Sequence, residues 1–315
     1  MRAALYDRYG PPEVLYVGRV PRPRPGPGEV LVRVRAATVN SGELHARAGR
    51  IRLLTGRRFP NRVGIDFAGE VAATGPGVRG LEPGERVWGG LGRRFGTAAE
   101  YVVVRPRLLA YAPEGLDPVQ AVSLVAGGTS AITALRDKAR LRPGERLLVR
   151  GAGGGVGSAA VQLGKALGAD VTALTGPASL DFVRGLGADE VFDHTGTAPA
   201  EVGRFDVVLD AVGTRLAEYR ALLAPGGRMV AVAFDMRNPL PSLGYIAGSA
   251  VHGRGRVRFF SGNPGHDLFA ELAGYAERGE LRPVVDTVRP LAEVAAAHRA
   301  LEDGGVRGKH VLRID

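Results

Sequence analysis

The sequence predicts an α/β protein in two parts, a small β-barrel and a doubly wound domain with a parallel sheet. Three observations predict it. Before Pro118, short apolar stretches are separated by turn residues about every ten positions, the pattern of a small all-β barrel. After Pro118, strands alternate with helical segments of about 10–15 residues, which calls for βαβ units on a parallel sheet. One strand and one helix are joined by the glycine-rich run Gly151-Ala152-Gly153-Gly154-Gly155-Val156-Gly157.

In the first part, residues 30–36 (Val-Leu-Val-Arg-Val-Arg-Ala) alternate after the turn-rich stretch 21–28 and read as a strand. Residues 63–74, 86–88 and 99–104 read as further strands. Residues 121–139 are helical in period and rich in small side chains. Strands are then expected at 146–149, 171–174, 191–192, 205–209 and 228–233, with helices at 155–167, through Leu186, and at 215–223. The tail carries two amphipathic helices, 268–278 and 291–302, and a last strand, 309–313, expected to rejoin the barrel.

Composition bounds the classes. A chain of 315 residues with 45% hydrophobic content suggests about two domains, at roughly 100–200 residues each. It has no cysteine, so disulfides, thiolate nucleophiles and cysteine-ligated metal sites are excluded. The net charge of +10 is scattered along the chain and only 6% of residues are aromatic, which argues against nucleic-acid binding and suits a cleft that attracts an anionic cofactor. No apolar run approaches the roughly 18 residues of a membrane span, and the first residues lack a signal-peptide core. A cytoplasmic protein without membrane attachment is the expectation.

The glycine run follows a predicted strand and opens a predicted helix, the context a dinucleotide-binding loop requires: the backbone can approach a pyrophosphate, and the helix start offers N–H groups. About 20 residues further on, NAD-specific sites place a carboxylate on the ribose 2′-hydroxyl. Here Leu174 is followed by Thr175-Gly176-Pro177-Ala178-Ser179, with no carboxylate, so NADPH is favoured over NADH, Thr175 and Ser179 being donors for a 2′-phosphate. The competing reading is that these two hydroxyls only cap the next helix.

A series of ordered motifs carries a resemblance. It runs through Val39-Asn40, Gly64-Ile65-Asp66-Phe67-Ala68-Gly69-Glu70-Val71, Pro83-Gly84-Glu85-Arg86-Val87, Ala99-Glu100-Tyr101-Val102 and Arg142-Pro143-Gly144-Glu145. It continues with the glycine loop and Gln162-Leu163-Gly164-Lys165, then Gly185-Leu186-Gly187-Ala188-Asp189, Asp206-Val207-Val208-Leu209-Asp210, Pro225-Gly226-Gly227-Arg228, Arg282-Pro283-Val284 and Gly308-Lys309. In these motifs the chain resembles the zinc-independent, quinone oxidoreductase-like branch of the medium-chain dehydrogenases/reductases. The resemblance implies a discontinuous GroES-like catalytic domain (1–119 and 259–315), a Rossmann NADPH-binding domain (120–258) and a homodimer.

Zinc-dependent relatives carry a cysteine near the position of Asn40 and a His-Glu pair where this chain has Ile65-Asp66. No pair among its six histidines has a ligand spacing, so no metal is expected. Carried over by resemblance, Asn40 lies near the nicotinamide and substrate, and Thr129 and Ser130 near the phosphates and ribose. Gly154, Gly155 and Val156 lie against the pyrophosphate, and His194 stands where an adenine-stacking tyrosine is common. Gly213, Phe260 and Ser261 line the nicotinamide end, and Lys309 is a further cofactor contact. His45 replaces a family tyrosine and is the proton-donor candidate; Glu43 replaces a family aspartate.

The expected activity is hydride transfer from NADPH to a small quinone or α,β-unsaturated ketone without zinc. The alternatives are an alcohol or carbonyl dehydrogenase, a tailoring reductase of one metabolite, and a non-catalytic NADPH-binding protein.

Overall fold

The computed structural model describes every residue except 56, 57, 93, 237, 238, 250–254 and 261, with the backbone alone at residue 54. Ser261 and His252 therefore lie outside the described residues. The chain divides into two units, Met1–Ala126 with Asn263–Asp315, and Gly127–Gly262.

The first unit opens with β1 (Arg2–Tyr6), β2 (Tyr16–Arg19), β3 (Val30–Thr38), α1 (Ser41–Arg47), α2 (Arg52–Thr55), β4 (Asn61–Arg62), β5 (Asp66–Thr74), β6 (Arg86–Gly90), β7 (Tyr101–Val104) and β8 (Leu109–Tyr111). The helix α3 (Pro118–Ile132) runs on as a π-helical stretch, Thr133–Ala139, closed by Arg140 in the left-handed region. The second unit carries β9 (Arg146–Arg150), α4 (Gly155–Ala166), β10 (Asp170–Thr175), α5 (Leu180–Gly185), β11 (Glu190–Asp193), β12 (Phe205–Asp210), α6 (Leu216–Arg220), β13 (Leu223–Ala231), α7 (Pro239–Gly248) and β14 (Val257–Phe259). The tail adds α8 (His266–Glu277), β15 (Val285–Pro290), α9 (Val294–Asp303) and β16 (Lys309–Arg313).

The barrel unit is organised on β3. Its first half pairs antiparallel with β7, its second half with β16, and its other edge with β5 along almost its whole length. The larger sheet runs β15-β16-β3-β5-β6-β8, and a smaller one runs β2-β1-β4. Val30, Val32 and Val34 of β3 are buried with Phe67 and Val71 of β5 and Val87 of β6, which is the apolar half of the alternation. Gly69 is needed where β5 crosses β3, because a Cβ there would stand 2.1 Å from the Arg33 carbonyl oxygen. The pairing of Val311 with Thr38 and Leu312 with Ala37 returns the tail to the end of β3, directly before α1.

In the second unit all strands are parallel in the order β11-β10-β9-β12-β13-β14. Numbered within the unit this is 3-2-1-4-5-6, the doubly wound order, which reverses between β9 and β12. Leu147, Leu148 and Val149 of β9 and Val207, Val208 and Leu209 of β12 are all 0% exposed, as central parallel strands covered on both faces must be.

The elements depart from the sequence expectations in several places, beginning with β1, β2, β4, β8, β15, α1 and α2, which no sequence pattern singled out. β5 begins at Asp66 rather than near Val63, because Gly64 has φ +92° and breaks the extended run. α6 stops at Arg220, and Leu223 is already strand, since the Phe205 N–H bonds to the Leu222 carbonyl and draws the chain into the sheet. α7 and β14 were not anticipated; Pro239, Pro241, Gly244 and Gly248 mask the helical period. Last, the continuous helix over residues 118–139 has the length and mean hydropathy (1.3) to cross a membrane, against the expectation of no such run, and 67% of its apolar window is buried within the protein, as in a core helix.

Between α1 and α9 the barrel unit buries His298 and Arg47, both 0% exposed. Arg47 pairs with Glu302, while neither ring nitrogen of His298 finds a protein partner among the described residues. Burial, with the Arg47 charge next, holds the His298 imidazole down at about 3, so it is neutral when folded. Its folded value lies below the unfolded one, so its contribution to stability is present above pH 6.5 and is lost as pH falls toward 3. His298→Leu is therefore expected to flatten the fall in stability between those limits, read as urea midpoints across the pH range.

Candidate active site

The reversal of strand order puts a crevice at the carboxyl ends of β9 and β12, and the glycine run lies there. Gly151 turns the chain at φ +79°. Gly157 lets α4 pack on the loop: a Cβ would stand 2.0 Å from the Gly151 carbonyl oxygen. Gly127 of α3 is needed for the same reason, 2.2 Å from the Gly155 carbonyl oxygen. Gly154 is different. It is the N-cap of α4 (φ −80°, ψ 175°), and a Cβ there would meet only the Gly151 oxygen, at 3.6 Å. The space above it is open, and the first-turn N–H groups of α4 have no intrahelical acceptor. A pyrophosphate fits this cradle, at the positive end of a 12-residue helix.

Thr175 and Ser179 close one side of the cradle. Both are buried, and a Cβ on Gly153 would be 2.9 Å from the Thr175 Oγ1 and 3.4 Å from the Ser179 Cβ. Ser179 is the N-cap of α5 but makes no side-chain cap bond, so its hydroxyl is not engaged as a cap. The His194 N–H bonds to the Thr175 carbonyl oxygen at 3.0 Å, which sets His194 beside them, exposed. Asp193 pairs in register with Thr175, and its carboxylate is taken up by the N–H and hydroxyl of Thr195.

Sequence reasoning missed the pair that holds the other side. Arg150, the last residue of β9, donates to Asp210 at the end of β12 (3.2 Å) and to the Thr214 hydroxyl (3.0 Å). Asp210 also accepts the N–H groups of Val212 and Gly213, at 3.0 and 3.1 Å. The pair thus pins the loop containing Gly213, whose φ of +83° and tight approach to Phe234 admit no side chain. Removing one partner of such a buried pair costs about 3–5 kcal/mol. The sequence signal was an arginine set directly before a glycine loop. Phe260 is half-buried in this unit, with Lys138 over its ring, and Thr129 and Ser130 lie on α3, buried and half-buried.

In the barrel unit, β3 ends at Thr38 and Asn40 starts α1. An N-cap asparagine normally accepts from the second or third helical N–H, worth about 1 kcal/mol. Asn40 makes no such bond. Its Nδ2 donates instead to Glu43 Oε1 (3.0 Å), with Thr38 Oγ1 (3.1 Å) and Asp66 Oδ2 (3.4 Å) also in reach, and its Oδ1 accepts from the Lys309 ammonium. Asp66 accepts from the Thr38 N–H and hydroxyl, and Glu43 Oε2 accepts from the Gly64 N–H at 2.8 Å. Two carboxyl groups and one ammonium are therefore buried together, with Glu43 and Asp66 each 1% exposed. Burial, then the neighbouring Asp66, pushes Glu43 up to about 8. A proton on Glu43 balances the cluster, leaving the Asp66 carboxylate against the Lys309 ammonium.

Of the expected residues, the structure brings Asn40 and Lys309 together in one unit, and Gly154, Gly155, Val156, Thr175, Ser179 and His194 together in the other. His45 is not among the groups around Asn40: two residues beyond Glu43, it faces another side of α1, with Nδ1 3.1 Å from Arg50 Nη1. Burial and the Arg50 charge hold its imidazole below its usual range, which disfavours the protonated form.

Residues 26–114 match the family described as the alcohol dehydrogenase GroES-like domain, and residues 186–312 the family described as zinc-binding dehydrogenase. NAD(P)H oxidoreductase RTN4IP1, mitochondrial, from Mus musculus is 32% identical over 100% of this chain and 89% of its own. The chain belongs to the medium-chain dehydrogenase/reductase family. It is an oxidoreductase that uses a nicotinamide cofactor.

A second relative, NADPH-dependent alkenal/one oxidoreductase, chloroplastic, from Arabidopsis thaliana, is 30% identical over 99% of this chain and 79% of its own. Among solved structures, the quinone oxidoreductase from Coxiella burnetii matches at a TM-score of 0.89 with 27% identity, covering 100% of this chain and 99% of that one. A structure described as an NAD-dependent alcohol dehydrogenase matches at 0.88 with 32% identity, each chain covered completely.

The second matched family, over residues 186–312, is described by zinc, and the residues at which the resemblance places a zinc site, which lie in the GroES-like match, do not fit that ion. Asn40, Ile65 and Asp66 provide neither thiolate nor imidazole, and an ammonium already holds Asn40 Oδ1. No group of three or more His, Cys, Asp or Glu able to hold a metal occurs among the described residues.

Glu43 has a folded value above its unfolded 4.5, so its contribution to stability is present below pH 4.5 and is lost as pH rises through about 8. Glu43→Gln, which keeps an uncharged hydrogen-bonding side chain, is expected to lose less stability than the parent between those limits in urea unfolding.

Proposed function

We propose that the protein is an NADPH-dependent reductase that delivers hydride to a quinone or an α,β-unsaturated ketone without zinc. One observation carries the reading: where zinc-dependent relatives hold the metal, this chain holds a buried hydrogen-bonded cluster containing an ammonium. A simple carbonyl gains much from a Lewis acid during hydride addition, whereas a conjugated acceptor spreads the incoming charge and needs only hydrogen-bond donors. The names of the Arabidopsis and Coxiella relatives are consistent with such acceptors.

The preference for NADPH is supported by the end of β10, where Thr175 and Ser179 stand in place of a carboxylate and the Ser179 hydroxyl makes no cap bond. When bound, the reduced nicotinamide supplies the hydride. The protein's part is to hold the pyrophosphate on α4 through Gly154, Gly155 and Val156 and to place the nicotinamide end by Gly213 and Phe260. Asn40 keeps the polar groups of the barrel unit in register. The proposal includes a homodimer, with β14, an edge strand, available to a second copy.

Fluorescence titration with NADPH and NADH, followed by consumption assays on quinones, enones and simple ketones, tests the reading. Tighter NADPH binding and oxidation dependent on a quinone or enone are expected. Tighter NADH binding with turnover of simple carbonyls or alcohols would instead favour the alcohol dehydrogenase alternative, and binding without any turnover a non-catalytic protein. Asn40→Ala is expected to lower kcat by about 100-fold, the scale of a misplaced catalytic group, because it removes the amide that ties Glu43, Asp66 and Lys309 together, with NADPH affinity nearly unchanged. An unchanged kcat would remove Asn40 from the site.

A further inference from the structure

The hydrogen bonds around Asn40 are unevenly used. The Asn40 amide has two N–H bonds, and four oxygens lie within 3.4 Å of its Nδ2: Thr38 O and Oγ1, Glu43 Oε1 and Asp66 Oδ2. Its oxygen is taken by Lys309. The amide therefore has no donor to offer a substrate. Lys309 is the opposite case. An ammonium has three N–H bonds; one goes to Asn40 Oδ1, and the other two have no partner among the described residues. Asp66 acts on it through its charge, and neither Asp66 nor the protonated Glu43 forms an ion pair with it, their oxygens being occupied by Asn40, Gly64 and Thr38.

A lysine only 8% exposed, whose ammonium leaves two N–H groups without a partner among the described residues, is a costly thing to bury, and burial holds it below its usual range. The composition adds an independent argument. Of 42 Lys and Arg residues only Lys138, Lys165 and Lys309 are lysine. Arginine is the default basic residue of this chain, yet the basic residue buried beside Asn40 is the type that can release a proton.

We propose that Lys309 is the catalytic acid of the reduction: its ammonium, rather than the Asn40 amide or His45, meets the oxygen of the acceptor and protonates it. This rests on the reductase reading above. As the acceptor takes the hydride, an electron pair collects on its oxygen, conjugated to the reacting carbon in an enone or a quinone. An Nζ–H bond breaks, an O–H bond forms, and an enol or hydroquinone results. The acceptor gains two electrons and the cofactor loses two. Lys309 is left a neutral amine and recovers its proton from water when product leaves. Asn40 holds Nζ in place, and the Asp66 carboxylate opposes the effect of burial and favours the charged form before the step without consuming its N–H bonds.

The test uses the full chain with Lys309→Ala and Lys309→Arg, their folding checked by circular dichroism and NADPH titration. Lys309→Ala is expected to lose about 100-fold or more in kcat, the range of general acid catalysis, while NADPH affinity changes little. Added primary alkylammonium ions are expected to restore part of the rate, rising with the acidity of the amine. Lys309→Arg keeps the charge but cannot yield a proton, and is expected to remain slow; it also decides the matter if the alanine variant does not fold. Full kcat in Lys309→Arg would overturn the proposal. So would a loss confined to NADPH affinity, which marks a cofactor contact, or a rescue indifferent to amine acidity, which marks packing. If the parent protein oxidises NADPH with no quinone or enone, the reductase reading itself fails; if the parent is active and Lys309→Ala equals it, only this assignment fails.

Discussion

Charge balance inside the barrel unit is the constraint on which the proposed chemistry depends. Glu43, Asp66 and Lys309 come from α1, from the first residue of β5 and from the first residue of β16, and all three are buried. Two carboxylates against one ammonium would leave an uncompensated charge in a dry interior, at a cost of several kcal/mol. The protein resolves this by keeping a proton on Glu43 and by lining the oxygens with N–H and O–H donors from Thr38, Asn40 and Gly64. The result is a rigid polar group at the point where β3 gives way to α1.

The second unit solves a similar problem differently. The carboxyl ends of β9 and β12 need a polar loop for a ligand, but the strand centres beneath, Leu147, Leu148 and Val149 with Val207, Val208 and Leu209, are apolar and buried. The buried Arg150–Asp210 pair bridges the two requirements: each end of the ion pair belongs to a strand, and the remaining hydrogen bonds go to the backbone and side chain of the 212–214 loop. The glycines do the rest. Gly157 and Gly127 allow close packing, and Gly154 leaves the cradle open. These positions are not interchangeable with alanine, because what lies nearest Gly157 and Gly127 is backbone that cannot rotate away.

Much of this was legible in the chain. The strand, glycine loop and helix at 146–167, the carboxylate-free end of β10 and the alternation in β3 all arise from local patterns of period two or 3.6 and from turn residues, which short-range sterics impose. The boundaries of α6 and β13 were misplaced because Leu222 and Leu223 fit a helix face as well as a strand, and pairing with β12 decided between them. α7 was hidden by its prolines and glycines. The apolar helix over residues 118–139 was underestimated because its hydropathy comes from many small residues rather than a run of large ones.

The sequence by itself determined the two-part architecture, the dinucleotide cradle and the family, since each rests on residues close together in the chain or on an ordered series of motifs. Only the tertiary structure decided which groups surround Asn40, His45 and Lys309. Lys309 stands 269 positions from Asn40, and the antiparallel pairing of β16 with β3 brings the two together. His45 is five residues from Asn40 and is turned elsewhere by the helix. Distance along the chain carries no information about such contacts; strand pairing and the rotation of 100° per helical residue do.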